Sequence, residues 1–302
     1  MKRRGTLVLF MAATVLRVFA AAGQTVRDDR GRPFPLPLEP PRRIISLAPN
    51  ITEILFALGL GDEVVGVTRF CDYPPEALTK TKVGGLVDPS LESIQALHPD
   101  LVVAFRGNPL RAVERLQALR LPVFVLDIGR SLDDIFVLVE KLGAITGRAE
   151  AAAGLNEKLR AEIREVRAAL AGGDEEPKVF LVLHGQGLWT CGRNSYLHDL
   201  IVQAGGLNIA AGIAKDWAFY SRERLLQDDP DVILVLARSP EEFARARAWL
   251  AGPAGLSGVR AVRAGRVHLI DQNAASRFGP RLAATLRDVA ALLHPERFGR
   301  TP

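Results

Sequence analysis

The chain alternates short β-branched runs with helical stretches twice, and one long amphipathic segment divides the two sets. That division restricts the fold more than any other feature. Before it lie Ile44–Leu47, Val64–Val67, Leu101–Ala104 and Val123–Leu126, separated by helical stretches at 50–58, 91–97, 110–119 and 131–146. After it lie runs at 178–183, 232–236 and 267–270, with helical stretches at 196–204, from Ser221 onward, at 241–250 and 256–262, and from Pro280 to Leu293. Strands that alternate with helices make parallel βαβ units. In the dividing segment, 148–171, Leu155, Leu159, Ile163, Val166 and Leu170 recur at helical spacing among charged neighbours. This predicts one amphipathic helix of about six turns, stopped by Gly172-Gly173.

The expected fold is α/β: two Rossmann-like lobes, 43–147 and 173–302, joined by a backbone helix at 148–172. A stiff helical connector predicts small lobe movements, because hinges need residues free to change φ/ψ. Residues 23–42 read as an extended arm or hairpin that turns at Asp29-Arg30-Gly31.

The first 22 residues carry a different signal. Lys2, Arg3 and Arg4 precede a mostly apolar run ending at Ala20-Ala21-Ala22. That is the pattern of a cleavable secretory signal. The run is too short to span a bilayer and Arg17 interrupts it. The chain carries +5 overall. Removing Lys2, Arg3, Arg4 and Arg17 leaves a mature charge of +1, and no dense basic run with interleaved aromatics favours nucleic acid. Cys71 and Cys191 belong to no metal-binding pair; they could pair with each other in an oxidising compartment, but a bridge there would tie the cleft shut, so two free thiols are the favoured reading. No Gly-x-Gly-x-x-Gly, P-loop or Gly-x-Ser-x-Gly elbow is present. Ser46, Asp72 and His184 supply triad residue types without an oxyanion elbow, so catalysis is not expected.

Large aromatics outside the core periodicity mark a binding surface. Tyr73, Trp189, Trp217 and Tyr220 all fall in expected loops. Tyr73 lies in the proline-stiffened stretch Phe70-Cys71-Asp72-Tyr73-Pro74-Pro75, which leaves the carboxyl end of a strand. In open parallel sheets ligands bind at those ends. His184 ends a strand facing the same cleft, and a hydrogen-bonded structural histidine is its plainer reading. Glu92 and Glu223 each follow a serine (Ser90, Ser221) that suits a helix N-cap.

Four motifs in order, 46–53 (Ser-Leu-Ala-Pro-Asn-Ile-Thr-Glu), 72–75 (Asp-Tyr-Pro-Pro), 91–101 (from Leu91-Glu92-Ser93-Ile94 to His98-Pro99-Asp100-Leu101) and 221–223 (Ser-Arg-Glu), resemble the periplasmic substrate-binding proteins of ABC importers. The likeness covers nearly all of 42–293. It is greatest to the cobalamin-binding branch, with haem and iron-siderophore binders as alternatives. The resemblance implies the helical-backbone fold (class III periplasmic binding protein), a periplasmic monomer, no covalent cofactor and cobalamin as transported ligand. It implies ligand contacts from Tyr73, Trp189, Trp217, Tyr220 and Arg277, with Gly85 and Leu86 where that branch carries a further tryptophan. It sets Asn273 where an acidic partner of the arginine is usual. It also implies that Glu92 and Glu223 dock on a membrane permease with its ATPase subunits. For a haem ligand Tyr73 offers an oxygen to the iron. For a siderophore Arg69, Arg106 and Arg277 offer positive charge.

Overall fold

The computed structural model describes residues 25–173, 175–183 and 187–299. The proposed export signal at 1–22 and His184 lie outside the described residues.

Strands β1 (Thr25–Arg27) and β2 (Pro33–Pro35) pair antiparallel as the expected hairpin. Asp28 closes its turn, accepting hydrogen bonds from the backbone N–H groups of Arg30 and Arg32 at 2.9 and 2.8 Å. Five parallel strands form the first lobe: β3 (Ile44–Ser46), β4 (Val64–Val67), β5 (Thr81–Lys82), β6 (Leu101–Phe105) and β7 (Val123–Leu126). Their spatial order is β5-β4-β3-β6-β7. The order reverses between β3 and β6, which sets a crevice outside the strands' carboxyl ends.

The second lobe uses β8 (Lys178–Leu183), β9 (Trp189–Cys191), β10 (Leu207–Asn208), β11 (Trp217–Phe219), β12 (Val232–Ala237) and β13 (Val267–Asp271). Its parallel sheet has the order β10-β8-β12-β13, and β9 pairs with β11 in a separate antiparallel ribbon. Every residue of β12 is buried. Helices cover both faces of such a sheet, so its central strand is apolar throughout rather than alternating.

The connecting helix is continuous from Ala149 to Leu170. At 1.5 Å per residue it extends about 33 Å. Ala152, Asn156, Leu159, Ile163 and Val166 form its buried stripe. It packs on the first-lobe helix Asp134–Thr146 and the second-lobe helix Leu282–Leu293. Gly143 admits the close approach, since a Cβ there would lie 2.5 Å from that of Ala152. Asn156 donates to the Phe136 carbonyl at 3.0 Å. One apolar core runs from Ile44 and Phe124 through Leu159 and Ile163 to Val179 and Leu286. Burying a side chain the size of Leu159 or Ile163 contributes roughly 1.5–3 kcal/mol.

Several expectations need correction. Asn50 does not open the first helix. Pro49 occupies its first turn, and the buried Asn50 amide nitrogen has no partner among the described residues. The stretch expected as a helix at 256–262 is helical only over Arg260–Arg263. Trp189 and Trp217 lie in ribbon strands rather than loops, because β9 and β11 are too short to announce themselves by alternation.

Candidate functional site

The loop after β4 and the segment after β13 meet across the two lobes. Glu53, on the first-lobe helix Pro49–Ala57, is 3% exposed. Its carboxylate receives Arg281 Nε at 2.9 Å and Arg281 Nη2 at 2.6 Å, both from the second lobe. Arg277 Nη1 reaches the same carboxylate at 3.3 Å and also donates to Asp72, while its Nη2 donates to the Phe70 carbonyl at 3.0 Å. Two carboxylates and two guanidinium groups therefore join the lobes. Two-point Arg–carboxylate pairing is the strong form of this contact. Partial burial works to raise the Asp72 carboxyl, but the Arg277 guanidinium hydrogen-bonded to it prevails and holds it below the usual carboxylate range.

Tyr73 sits on this cluster. The Arg281 guanidinium carbon lies 4.2 Å from its ring centroid, a cation–π contact. Tyr73 is 43% exposed and Phe70 46%. Tyr73 also walls a cavity of about 850 Å³, together with Glu53, Phe56, Lys80, Leu155, Lys158 and Arg281. This cavity borders the connecting helix, and the ribbon tryptophans are not in its wall.

On the second lobe the ribbon presents Trp189, Trp217 and Phe219, exposed by 48%, 37% and 60%. Trp189 and Phe219 face each other across the ribbon in an edge-to-face pair with centroids 5.9 Å apart. Tyr220, expected beside them, is 1% exposed. Its ring packs on Phe180, and its hydroxyl bonds to Asp228 and the Ile209 carbonyl. It belongs to the second-lobe core and offers no face to a ligand. Alternation along β11 explains this: Trp217 and Phe219 point out, Ala218 points in, and the chain then turns Tyr220 inward.

Gly85 is buried beneath the Arg69–Asp88 ion pair; a Cβ there would lie 2.4 Å from the Asp88 carboxylate. Leu86 packs on the first-lobe core and its carbonyl accepts from Asn108 at 2.8 Å. Gly85 thus serves the turn. Val87, at 73% exposure, is the apolar tip of that turn. Asn273 is half-buried and its carbonyl accepts from Arg281 at 3.3 Å. The acidic partners of Arg277 are not missing, as Asn273 suggested. They come from the other lobe, as Glu53 and Asp72. The signal in the sequence was an acid embedded in an apolar run, Ile51-Thr52-Glu53-Ile54-Leu55.

Glu92 and Glu223 are exposed in the first turns of helices Leu91–Ala96 and Arg222–Asp228. Ser90 and Ser221 cap those helices, accepting from the N–H groups of Ser93 and Arg224 at 3.2 and 3.1 Å. Cys71 and Cys191 are free and buried. Burial raises both thiols, Cys191 to about 12. Among the described residues no group of three His, Cys, Asp or Glu side chains is placed to hold a metal ion.

The periplasmic binding protein family model matches residues 44–274. The vitamin B12-binding protein of Pectobacterium carotovorum subsp. carotovorum (strain PC1) is 30% identical over 259 residues, covering 84% of this chain and 88% of that protein. Among solved structures, the periplasmic vitamin B12-binding protein of Vibrio cholerae superposes with a TM-score of 0.73 at 29% identity, covering 85% of this chain and 98% of that one. A periplasmic haem-binding protein from Roseiflexus sp. RS-1 superposes with a TM-score of 0.77 at 28% identity, covering 85% and 99%. This match spans both sheets and the helix between them. The chain belongs to the periplasmic binding protein family, and it is a binding protein rather than an enzyme.

Proposed function

We propose that this protein captures a corrinoid of the cobalamin type outside the cytoplasm and delivers it to the permease of an ABC importer. The carrying observation is the set of exposed aromatics at the two strand-end regions. Phe70 and Tyr73 stand on the first lobe, and Trp189, Trp217 and Phe219 on the second. Single exposed apolar side chains need no explanation, but clusters of them do. A broad, flat ring with polar edges matches flat apolar walls with a few hydrogen-bonding groups. The vitamin B12-binding relatives support the same reading. The connecting helix and the Glu53 ion cluster favour binding with little lobe movement. Glu92 and Glu223 are the proposed docking acids, one on each lobe. Opposite charges on a permease would orient the encounter and speed it more than tighten it.

Titration calorimetry against cyanocobalamin, haemin and a ferric siderophore tests this reading. Saturable one-to-one uptake of cyanocobalamin, tighter than either competitor, is the expected result. Preference for another of the three ligands would overturn it.

A haem ligand is the second reading. The Tyr73 phenol has no hydrogen-bond partner among the described residues and sits on an exposed ring, an arrangement suited to donating oxygen to ferric iron. A haemin spectrum that loses its Tyr73-dependent charge-transfer band in Tyr73→Phe would favour haem.

A further inference from the structure

The arginines that an anionic ligand would need are already neutralised. Arg69 holds Asp88 at 2.8 Å, Arg106 holds Asp127 at 2.7 Å, and Arg277 is shared between Asp72 and Glu53. In the inter-lobe cluster, Glu53 and Asp72 balance Arg277 and Arg281 charge for charge. Its members differ in access. The Glu53 side chain is 1% exposed and that of Arg277 11%, but Asp72 is 45% exposed. The group that a ligand meets first is therefore a carboxylate.

We propose that Asp72 is a specificity-determining residue: paired with Arg277, it matches the primary carboxamides on a ligand's rim and rejects carboxylates. An amide carries an acceptor and a donor side by side. Its carbonyl suits the guanidinium and its NH₂ suits the Asp72 carboxylate. A carboxylate has no proton to give Asp72 and meets a like charge instead, so discrimination arises from repulsion as well as attraction. A site that leaves polar groups unpaired with the wrong ligand discriminates far better than a purely apolar wall. The low pKa of Asp72 keeps it ionised across the neutral range. This inference rests on the corrinoid reading and narrows it to rings with uncharged, amide-bearing edges.

The test compares cyanocobalamin with its monocarboxylate, made by hydrolysing one peripheral amide, on the full mature chain by calorimetry. Each monocarboxylate isomer is measured separately, because only one edge of the ring reaches Asp72. The wild type is expected to prefer cyanocobalamin over at least one isomer by about tenfold or more. In Asp72→Asn, which keeps an acceptor for Arg277 and removes the charge, that preference is expected to fall below about threefold. Raising salt to about 0.5 M should shrink the wild-type preference as well, and this arm needs no variant to fold. Equal wild-type affinities for cyanocobalamin and every isomer overturn the inference while leaving the corrinoid reading intact. So does a preference that Asp72→Asn leaves unchanged in a folded protein. Failure of the wild type to bind cyanocobalamin overturns both.

Discussion

Glu53 and Arg281 stand 228 positions apart in sequence and meet in a two-point ion pair across the lobe interface, with contacts of 2.9 and 2.6 Å. The carboxylate is almost fully buried and also receives Arg277. A buried charge retained in this way is a commitment, since removing one partner strands the others.

Glu53→Ala should therefore destabilise the protein by about 3–5 kcal/mol, because two guanidinium groups lose their buried counter-charge. Urea unfolding monitored by circular dichroism measures it. A loss under about 1 kcal/mol would show that water compensates the arginines and that the cluster does not hold the lobes together.

Tyr73→Ala and Trp217→Ala should each weaken ligand binding by tenfold or more, roughly 1.4 kcal/mol apiece. Tyr220→Phe should leave affinity within about threefold, since its ring faces the core. Unchanged affinity in both of the first two variants would refute the assigned cleft.

The three tryptophans separate the proposed site from the scaffold. Trp189 and Trp217 lie exposed on the ribbon, whereas Trp249 is packed against the second-lobe core. Quenching of fluorescence by a coloured ring ligand should persist in Trp249→Phe and largely vanish in the double variant Trp189→Phe, Trp217→Phe. The reverse pattern would relocate the ligand to the outer face.

Neither thiol should react with a disulfide reagent in the native protein at pH 8. Cys71 is held by Thr52 and Thr68, and Cys191 is pushed up to about 12 by burial. Both are then protonated and shielded, and the thiolate is the reactive form. Rapid labelling of one equivalent before denaturation would contradict this.

Acid should reduce stability in two stages. Burial lowers His198 and His268, so the unfolded chain takes up protons first as pH falls through about 6.5, and stability declines there. Asp72 is also depressed, so its contribution is complete above the ordinary carboxylate value of about 3.9 and disappears as pH falls through its lower folded value. Melting temperature against pH for wild type and Asp72→Asn checks the assignment. The difference between the two curves should stay flat from pH 8 to about 5 and close only below that.

The elements with strong periodicity were legible in sequence. The connecting helix, expected over 148–171, spans Ala149–Leu170, and the seven parallel strands expected from the sequence lie within a residue of their expected limits. What escaped was short or non-local. β5, β9, β10 and β11 have two or three residues each, too few for a pattern, and exist because a neighbour supplies their hydrogen bonds. Tyr73 and the ribbon tryptophans were visible as aromatics outside the core pattern. Tyr220 looked identical by that criterion and proved to be core. Glu53 lies within the 46–53 motif, but nothing local announces its role, because its partners lie near the other end of the chain.

The sequence by itself determined two α/β lobes, a long helix between them and the loop that carries Tyr73 at a strand end, because hydrophobic period and turn chemistry act over a few residues. Only the tertiary structure decided how charge is distributed at the lobe interface. Ion pairing depends on which distant side chains share a desolvated space, and no local pattern reports that Asp72 and Glu53 will neutralise Arg277 and Arg281.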